Sequence, residues 1–92
     1  MSGHVFHPGH DELHGVTVVI SGTSGRTYVG RWHERAARGV TMKGVAIREP
    51  ADATTLDAWL ANQRKFGLDA TEKFLVVPND EVGGVERFFD DR

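Results

Sequence analysis

Cysteine is absent from this chain of 92 residues, which excludes disulfide bonds, thiol catalysis and cysteine-ligated zinc sites. Proline occurs only 3 times, and no apolar run approaches the roughly 20 residues that a transmembrane helix needs. The first residues also lack the basic stretch followed by an apolar one that marks a secretory signal. We therefore expect a single domain over residues 1–92 that is cytoplasmic and does not cross a membrane.

Acidic residues are scarce in one part of the chain and abundant in another. Residues 15–48 carry six basic side chains and one acid, whereas residues 49–92 carry five basic side chains and ten acids. A concentrated basic segment can serve as the contact surface for a polyanion. The two segments can equally attract each other within the fold or between subunits, so the charge pattern alone leaves both interpretations open.

The pattern of residues 15–48 predicts three consecutive antiparallel strands. Side chains from Val16 to Ser21 alternate between apolar and mixed positions, as in a strand with one buried face. In the second strand, Tyr28 and Trp32 fall on one face and are expected in the core. Gly30 lies between them and predicts a bend or a close backbone approach. In the third strand the apolar phase changes around Gly44, which predicts a β-bulge.

A helix is predicted from Thr55 to Phe66. Its apolar residues recur at helical spacing, and Gly67 is well suited to the position just after a helix end. Three residues near its start are candidate N-terminal caps: Asp52, Thr54 and Thr55. We expect the helix to pack on the strands, and the alternative is that its aromatic residues contact a partner subunit.

Two short strands are predicted after the helix. Phe74 to Val77 is apolar on both faces, and Pro78 ends its hydrogen-bonded ladder. Residues 79–81 have the composition of a turn. A last strand runs from Val82 to Phe88, and Phe89 is expected to close the core.

Histidine is concentrated near the start of the chain. Imidazole is a common ligand of zinc, nickel and copper, and spacings of three and four residues would place several imidazoles on one helical face. Pro8 and Gly9 interrupt such a helix, however. We expect residues 1–8 to be mobile and no metal to be held there. The weak candidate ligands are His4, His7, His10 and His14.

Three segments resemble motifs of a known family. Gly25 to Trp32 reads Gly-x-x-Tyr-x-Gly-x-apolar, which is the core of the first Sm motif. Pro8 to Val18 is similar to the entry into the family's first strand, and Phe74 to Glu86 is similar to its closing strand, 3₁₀ turn and strand. The chain thus resembles the Sm-like family of small β-barrels, of the LSm and Hfq type. The resemblance implies a mainly β fold: a five-stranded, strongly bent small barrel, here with an α-helix inserted between the third and fourth strands.

Two departures from the family limit what the resemblance implies. The RNA-binding form has Asp-x-x-apolar-Asn after the second strand, but residues 34–39 contain no Asn. It also has Arg-Gly before the last strand, where this chain has Phe-Leu-Val-Val-Pro over residues 74–78. The resemblance therefore implies the fold and possible ring assembly, but not the uridine-binding pocket.

No nucleophile–base pair, paired carboxylates or phosphate loop stands out, so we expect no enzyme activity and no cofactor. The favoured interpretation is a module that associates with itself through open strand edges. Its candidate interface residues are Phe74, Val76, Trp59 and Phe66. The alternative is binding of RNA or another nucleic acid by the basic surface over residues 26–48. The candidate residues for that role are Arg26, Arg31, His33, Arg35, Arg38 and Lys43.

Overall fold

The computed structural model describes residues 12–89, which form one five-stranded antiparallel sheet and one α-helix. The elements in chain order are β1 (Thr17–Gly22), β2 (Thr27–Ala36), β3 (Gly39–Arg48), α1 (Leu56–Phe66), β4 (Glu72–Val77), a 3₁₀ turn (Asn79–Glu81) and β5 (Val82–Arg87). The strand order across the sheet is β4-β3-β2-β1-β5. The predicted mainly β class and the position of the helix between β3 and β4 are confirmed. Closure of the sheet into a barrel is not confirmed, because no ladder joins β4 to β5 within residues 12–89.

Buried side chains cover both faces of the sheet. On the first, which we call the core face, eight buried residues pack together: Val18, Ile20, Tyr28, Trp32, Val40, Met42, Val45 and Val77. On the opposite one, which we call the helix face, a smaller cluster combines buried sheet residues with half-buried ones from α1 and the segment after it: Val19, Val29, Phe88, Trp59, Leu60 and Leu68. The predicted core positions of Tyr28 and Trp32, and the packing of the helix on the strands, are thus confirmed.

The prediction that Phe89 closes the core is wrong, because Phe88 does so. Phe88 is 1% exposed and Phe89 is 58% exposed. The Phe88 N–H donates to the Thr17 carbonyl at 2.9 Å, which extends the β1–β5 ladder by one residue and places the Phe88 side chain on the helix face. Since side chains alternate between faces along a strand, Phe89 cannot share that environment. Its ring meets the edge of Phe88 with the centroids 4.7 Å apart.

A β-bulge interrupts the pairing of β2 with β3, as the sequence predicts. Val29 pairs with Ala46 and Arg31 pairs with Lys43, so Gly30 faces two residues of β3. One of these, Gly44, has a φ of 59°, in the left-handed region that favours glycine. The extra residue resets the alternation of β3, so that Met42 before the bulge and Val45 after it both face the core.

Helix α1 begins with the predicted cap and ends at the predicted glycine. The Thr55 hydroxyl accepts a hydrogen bond from the Ala58 N–H at 3.3 Å, and Gly67 follows the last helical residue with a φ of 91°. Arg64 fastens the helix end to the end of β5, since its Nη2 donates to the Phe88 carbonyl at 3.0 Å. The described residues contain no helix with the length and apolar content required to cross a membrane.

The connection from β4 to β5 shows that the sheet is strongly curled. Val77 pairs with Val40 near the far end of β2, whereas Val82 pairs with Gly22 beside the start of β2. In a flat sheet these two positions would lie about 30 Å apart, from the usual strand spacing and rise per residue. Five residue steps span at most about 17 Å. The strands must therefore bend so that the two edges approach each other at the 3₁₀ turn.

Candidate interaction surfaces

β4 forms one edge of the sheet and is rich in apolar residues. Phe74 is 62% exposed, while Leu75 and Val76 are half-buried. Within residues 12–89 the strand pairs only with β3, so the backbone N–H and C=O groups on its other side have no ladder partner. Lys73 and the proline that follows the strand are features that limit indiscriminate pairing of edges. The predicted interface residues Phe74 and Val76 therefore lie together on an open edge.

β5 forms the other edge, and its register with β1 identifies the backbone groups that point outward. Phe88 donates to Thr17, and bonded and non-bonded positions alternate along an antiparallel strand. Gly84 and Glu86 therefore bond to β1. Val85 and Arg87 direct their N–H and C=O groups away from the sheet. Each edge thus presents a row of backbone groups that a further strand can bond.

The two candidate interface residues on α1 have different environments. Trp59 is half-buried and packs against the helix-face cluster around Val19 and Phe88. Phe66 is 75% exposed, and the Nζ of its neighbour Lys65 lies 5.3 Å from its ring centroid. Trp59 therefore contributes to the fold, whereas Phe66 leaves most of its surface accessible to a partner.

Two of the predicted basic residues form a pair on the helix face of the sheet. Arg31 of β2 lies directly opposite Lys43 of β3, so both side chains project from the same face, and both are exposed. Like charges in this position destabilise a sheet. The ion pair that the structure contains within residues 12–89 joins Arg26 to Glu49 and involves neither residue. Within residues 12–89, no carboxylate therefore forms an ion pair with Arg31 or Lys43.

The other predicted basic residues are spread over different parts of the surface. Arg26 Nε lies 2.7 Å from Glu49 Oε1, and this hydrogen bond raises the pKa of Arg26. Arg35 Nε donates to Asn79 Oδ1 at 2.8 Å, which ties β2 to the 3₁₀ turn. Arg38 is exposed in the turn between β2 and β3. Among the predicted basic residues, Arg31 and Lys43 are brought together as cross-strand neighbours.

The histidines do not form a metal centre in the part of the chain that the structure describes. His14 Nδ1 lies 2.7 Å from the His33 carbonyl oxygen, and the two rings are 5.2 Å apart. No group of three or more potential metal ligands occurs among residues 12–89. The remaining candidates lie outside the described residues: His4, His7 and His10.

Glu81 is the centre of a polar cluster, whereas the sequence around it predicts only a turn. Its carboxylate accepts hydrogen bonds from the Thr23 hydroxyl at 3.0 Å, the Ser24 N–H at 3.0 Å and the Tyr28 hydroxyl at 2.9 Å. The Ser24 hydroxyl also donates to it and is the main reason that the pKa of Glu81 falls to about 2. Burial, and next the hydrogen bond to Glu81, raise the pKa of Tyr28. No short motif could reveal the cluster, because Glu81 is more than 50 residues from its partners.

Comparison of the chain with protein-family models, curated proteins and solved structures gave no match. Function is therefore inferred from the chemistry of the surfaces. Two features stand out as capable of binding something outside the chain: the pair of open strand edges, and the Arg31–Lys43 pair on the helix face.

Proposed function

We propose that this chain is a non-enzymatic assembly module of the Sm-like type, in which the β4 edge of one copy pairs with the β5 edge of the next. The observation that carries the proposal is that β4 and β5 are the two opposite edges of one sheet. Because the two edges differ, association through them is head-to-tail. Repetition of such a contact builds a closed ring or an open filament.

The order and shape of the elements support an Sm-like small barrel. Three bent strands, an inserted helix and two short strands around a 3₁₀ turn follow one another as the resemblance implies. The bulge at Gly44 and the short β4–β5 connection both curl the sheet. In the proposed assembly the barrel is open between β4 and β5, and each of these strands bonds to a neighbouring copy.

The composition of the edges supports pairing of moderate strength. Both strands are six residues long, so one can match the other over its whole length. Each backbone hydrogen bond contributes about 0.5–1.5 kcal/mol net, and covering the exposed ring of Phe74 adds an apolar contribution. The glycines of β5 leave room for the larger side chains of a neighbouring strand.

Proline substitution at Arg87 tests the proposal. The change removes an N–H that points away from β1, so the ladder within the chain keeps its bonds. We expect light scattering to give the wild-type protein a multiple of its 10.1 kDa mass at micromolar concentration, and Arg87→Pro to give a folded monomer. The matched control, Arg87→Ala, keeps the N–H and should assemble.

Two outcomes would contradict this proposal. One is a wild-type protein that stays at the monomer mass over the whole concentration range. The other is an Arg87→Pro variant that retains the wild-type mass, since association would then use a surface other than the β5 edge. Circular dichroism of both variants establishes that each is folded before the masses are compared.

Nucleic-acid binding over the whole basic segment is the alternative function, and fewer observations favour it. Arg26 and Arg35 hold other parts of the chain through Glu49 and Asn79, so they are not free to track a phosphate backbone. If the alternative is correct, affinity for RNA falls steeply as salt is raised and all the basic residues contribute.

A further inference from the structure

Among residues 12–89, no ion pair offsets the repulsion between Arg31 and Lys43. The two residues are cross-strand neighbours with the same charge, both are exposed, and neither takes part in an ion pair within residues 12–89. A cross-strand pair of opposite charges would stabilise the sheet, whereas this one weakens it. An anion placed between the two side chains would reverse the sign of the interaction.

A shallow, open depression of the surface lies beside the pair. The depression, of about 300 Å³, is lined by Thr17, Arg31, Lys43, Gly44 and Leu68. Thr17 is opposite Arg31 on β1, so guanidinium, ammonium and hydroxyl groups lie in adjacent strands of the same face. The two charged groups only donate hydrogen bonds, and the hydroxyl can also donate. Such a set matches an acceptor-rich anion, and a phosphate group is the closest fit in charge and number of acceptors.

Two apolar side chains lie at the border of the depression. Leu68 forms one side, and Phe74 lies opposite Lys43 on β4 with its ring 62% exposed. The Lys43 Nζ is 5.6 Å from the centroid of that ring. An exposed aromatic face beside a cation can stack on a planar group that is attached to a bound phosphate.

The geometry points to a phosphate-binding site on the helix face. Arg31 and Lys43 bind the phosphate group of a ligand, Thr17 donates a further hydrogen bond, and Leu68 and Phe74 contact the ligand's remainder. The phosphate belongs either to a small phosphomonoester or to a single-stranded nucleic acid. The groups that bind the phosphate are on β1, β2 and β3, so phosphate binding does not depend on pairing of the strand edges, whereas Phe74 lies on the β4 edge that the proposed assembly also uses.

Binding of three probes tests this site. Inorganic phosphate, a nucleoside monophosphate and a short single-stranded RNA are titrated into the protein at low salt, with affinity read by calorimetry and location by NMR shifts. We expect saturable binding, and Arg31→Gln and Lys43→Gln should each weaken it by about tenfold or more. Arg38→Gln is the matched control, because Arg38 is also exposed but lies in the β2–β3 turn.

The probes also separate the two sources of phosphate. Equal affinity for the monophosphate and the RNA indicates a small ligand, whereas affinity that rises with RNA length indicates a strand. Phe74→Ala should weaken binding of the monophosphate but not of inorganic phosphate. The proposal is overturned if none of the three probes binds saturably, or if Arg38→Gln weakens binding as much as Arg31→Gln does.

The melting temperatures of the variants provide a second test of the phosphate site. Replacing either cation relieves the like-charge repulsion, so Arg31→Gln and Lys43→Gln should melt no lower than the wild-type protein. Added phosphate should raise the melting temperature of the wild-type protein and leave that of the double variant unchanged. A double variant that phosphate stabilises as much as it does the wild-type protein would also overturn the proposal.

Discussion

Glu81 shows how a single residue can join distant segments of a small sheet. Its carboxylate bonds the turn between β1 and β2 through Thr23 and Ser24, and it also bonds Tyr28 of β2. The Thr23 N–H donates in turn to the Glu81 carbonyl at 2.8 Å. The 3₁₀ turn is thereby fixed against the first hairpin, which holds the start of β5 beside the end of β1.

The lowered pKa of Glu81 predicts how stability depends on pH. Its folded-state pKa of about 2 lies below the ordinary value of 4.5. The ionised carboxylate therefore stabilises the fold fully above pH 4.5, and this contribution is lost as the pH falls from there toward 2. We expect the wild-type protein to have a clearly higher melting temperature than Glu81→Gln at neutral pH. The difference in melting temperature should shrink steadily below pH 4.5.

A second carboxylate, on the strand that follows the 3₁₀ turn, supplies the control. Glu86 is exposed on β5, and its carboxylate has no hydrogen bond or ion pair within residues 12–89. Its change to Gln should leave the melting temperature close to wild type at neutral pH. If the melting temperatures of Glu81→Gln and the wild-type protein differ by the same amount at pH 2 as at pH 7, the hydrogen bonds to the Glu81 carboxylate do not stabilise the fold as described.

At the scale of elements, the bulge between β2 and β3 depends on the absence of a side chain at residue 30. A Cβ there would lie 3.0 Å from Val45 Cγ2 and 3.1 Å from the Gly44 and Lys43 carbonyl oxygens. Two of these three contacts are with backbone, which cannot move without disturbing the ladder. Gly30→Val should therefore lower the free energy of unfolding by roughly 1–3 kcal/mol.

Gly84 of β5 is the matched control for this substitution. It also lies in a strand, but a Cβ at this position would have no atom within 4 Å. Gly84→Ala should change the free energy of unfolding by only a few tenths of a kcal/mol, as is usual for a strand position without crowding. Denaturant melts that show equal effects for the two variants would contradict a close approach at Gly30.

Local patterns predicted the elements well, because local physics determines them. The cap at Thr55, the helix end at Gly67 and the bulge at Gly44 each follow from a residue type and its immediate neighbours. Phe88 and Phe89 could not be distinguished in this way, because the choice depends on how far the β1–β5 ladder continues. The Glu81 cluster and the separation of the basic residues depend on contacts between distant segments, which a single sequence does not reveal.

At the scale of the whole molecule, the curl of the sheet and its two open edges are structurally related. The short connection after β4 brings the edges toward each other without pairing them. The sheet therefore keeps backbone groups available on both β4 and β5. Isolated domains protect such edges, because they promote association. An assembly module uses the same groups to bind its neighbours.

Hydrogen exchange at the β5 edge tests the central claim most directly. The amides of Gly84 and Glu86 bond to β1 and should exchange slowly at every protein concentration, whereas those of Val85 and Arg87 point outward. Edge pairing predicts that the amide hydrogens of Val85 and Arg87 exchange more slowly as protein concentration rises. The slowing should occur over the concentration range in which the mass of the particle increases. If their exchange stays fast while the protein associates, or if no association occurs, the account of this chain as an edge-paired assembly module is contradicted.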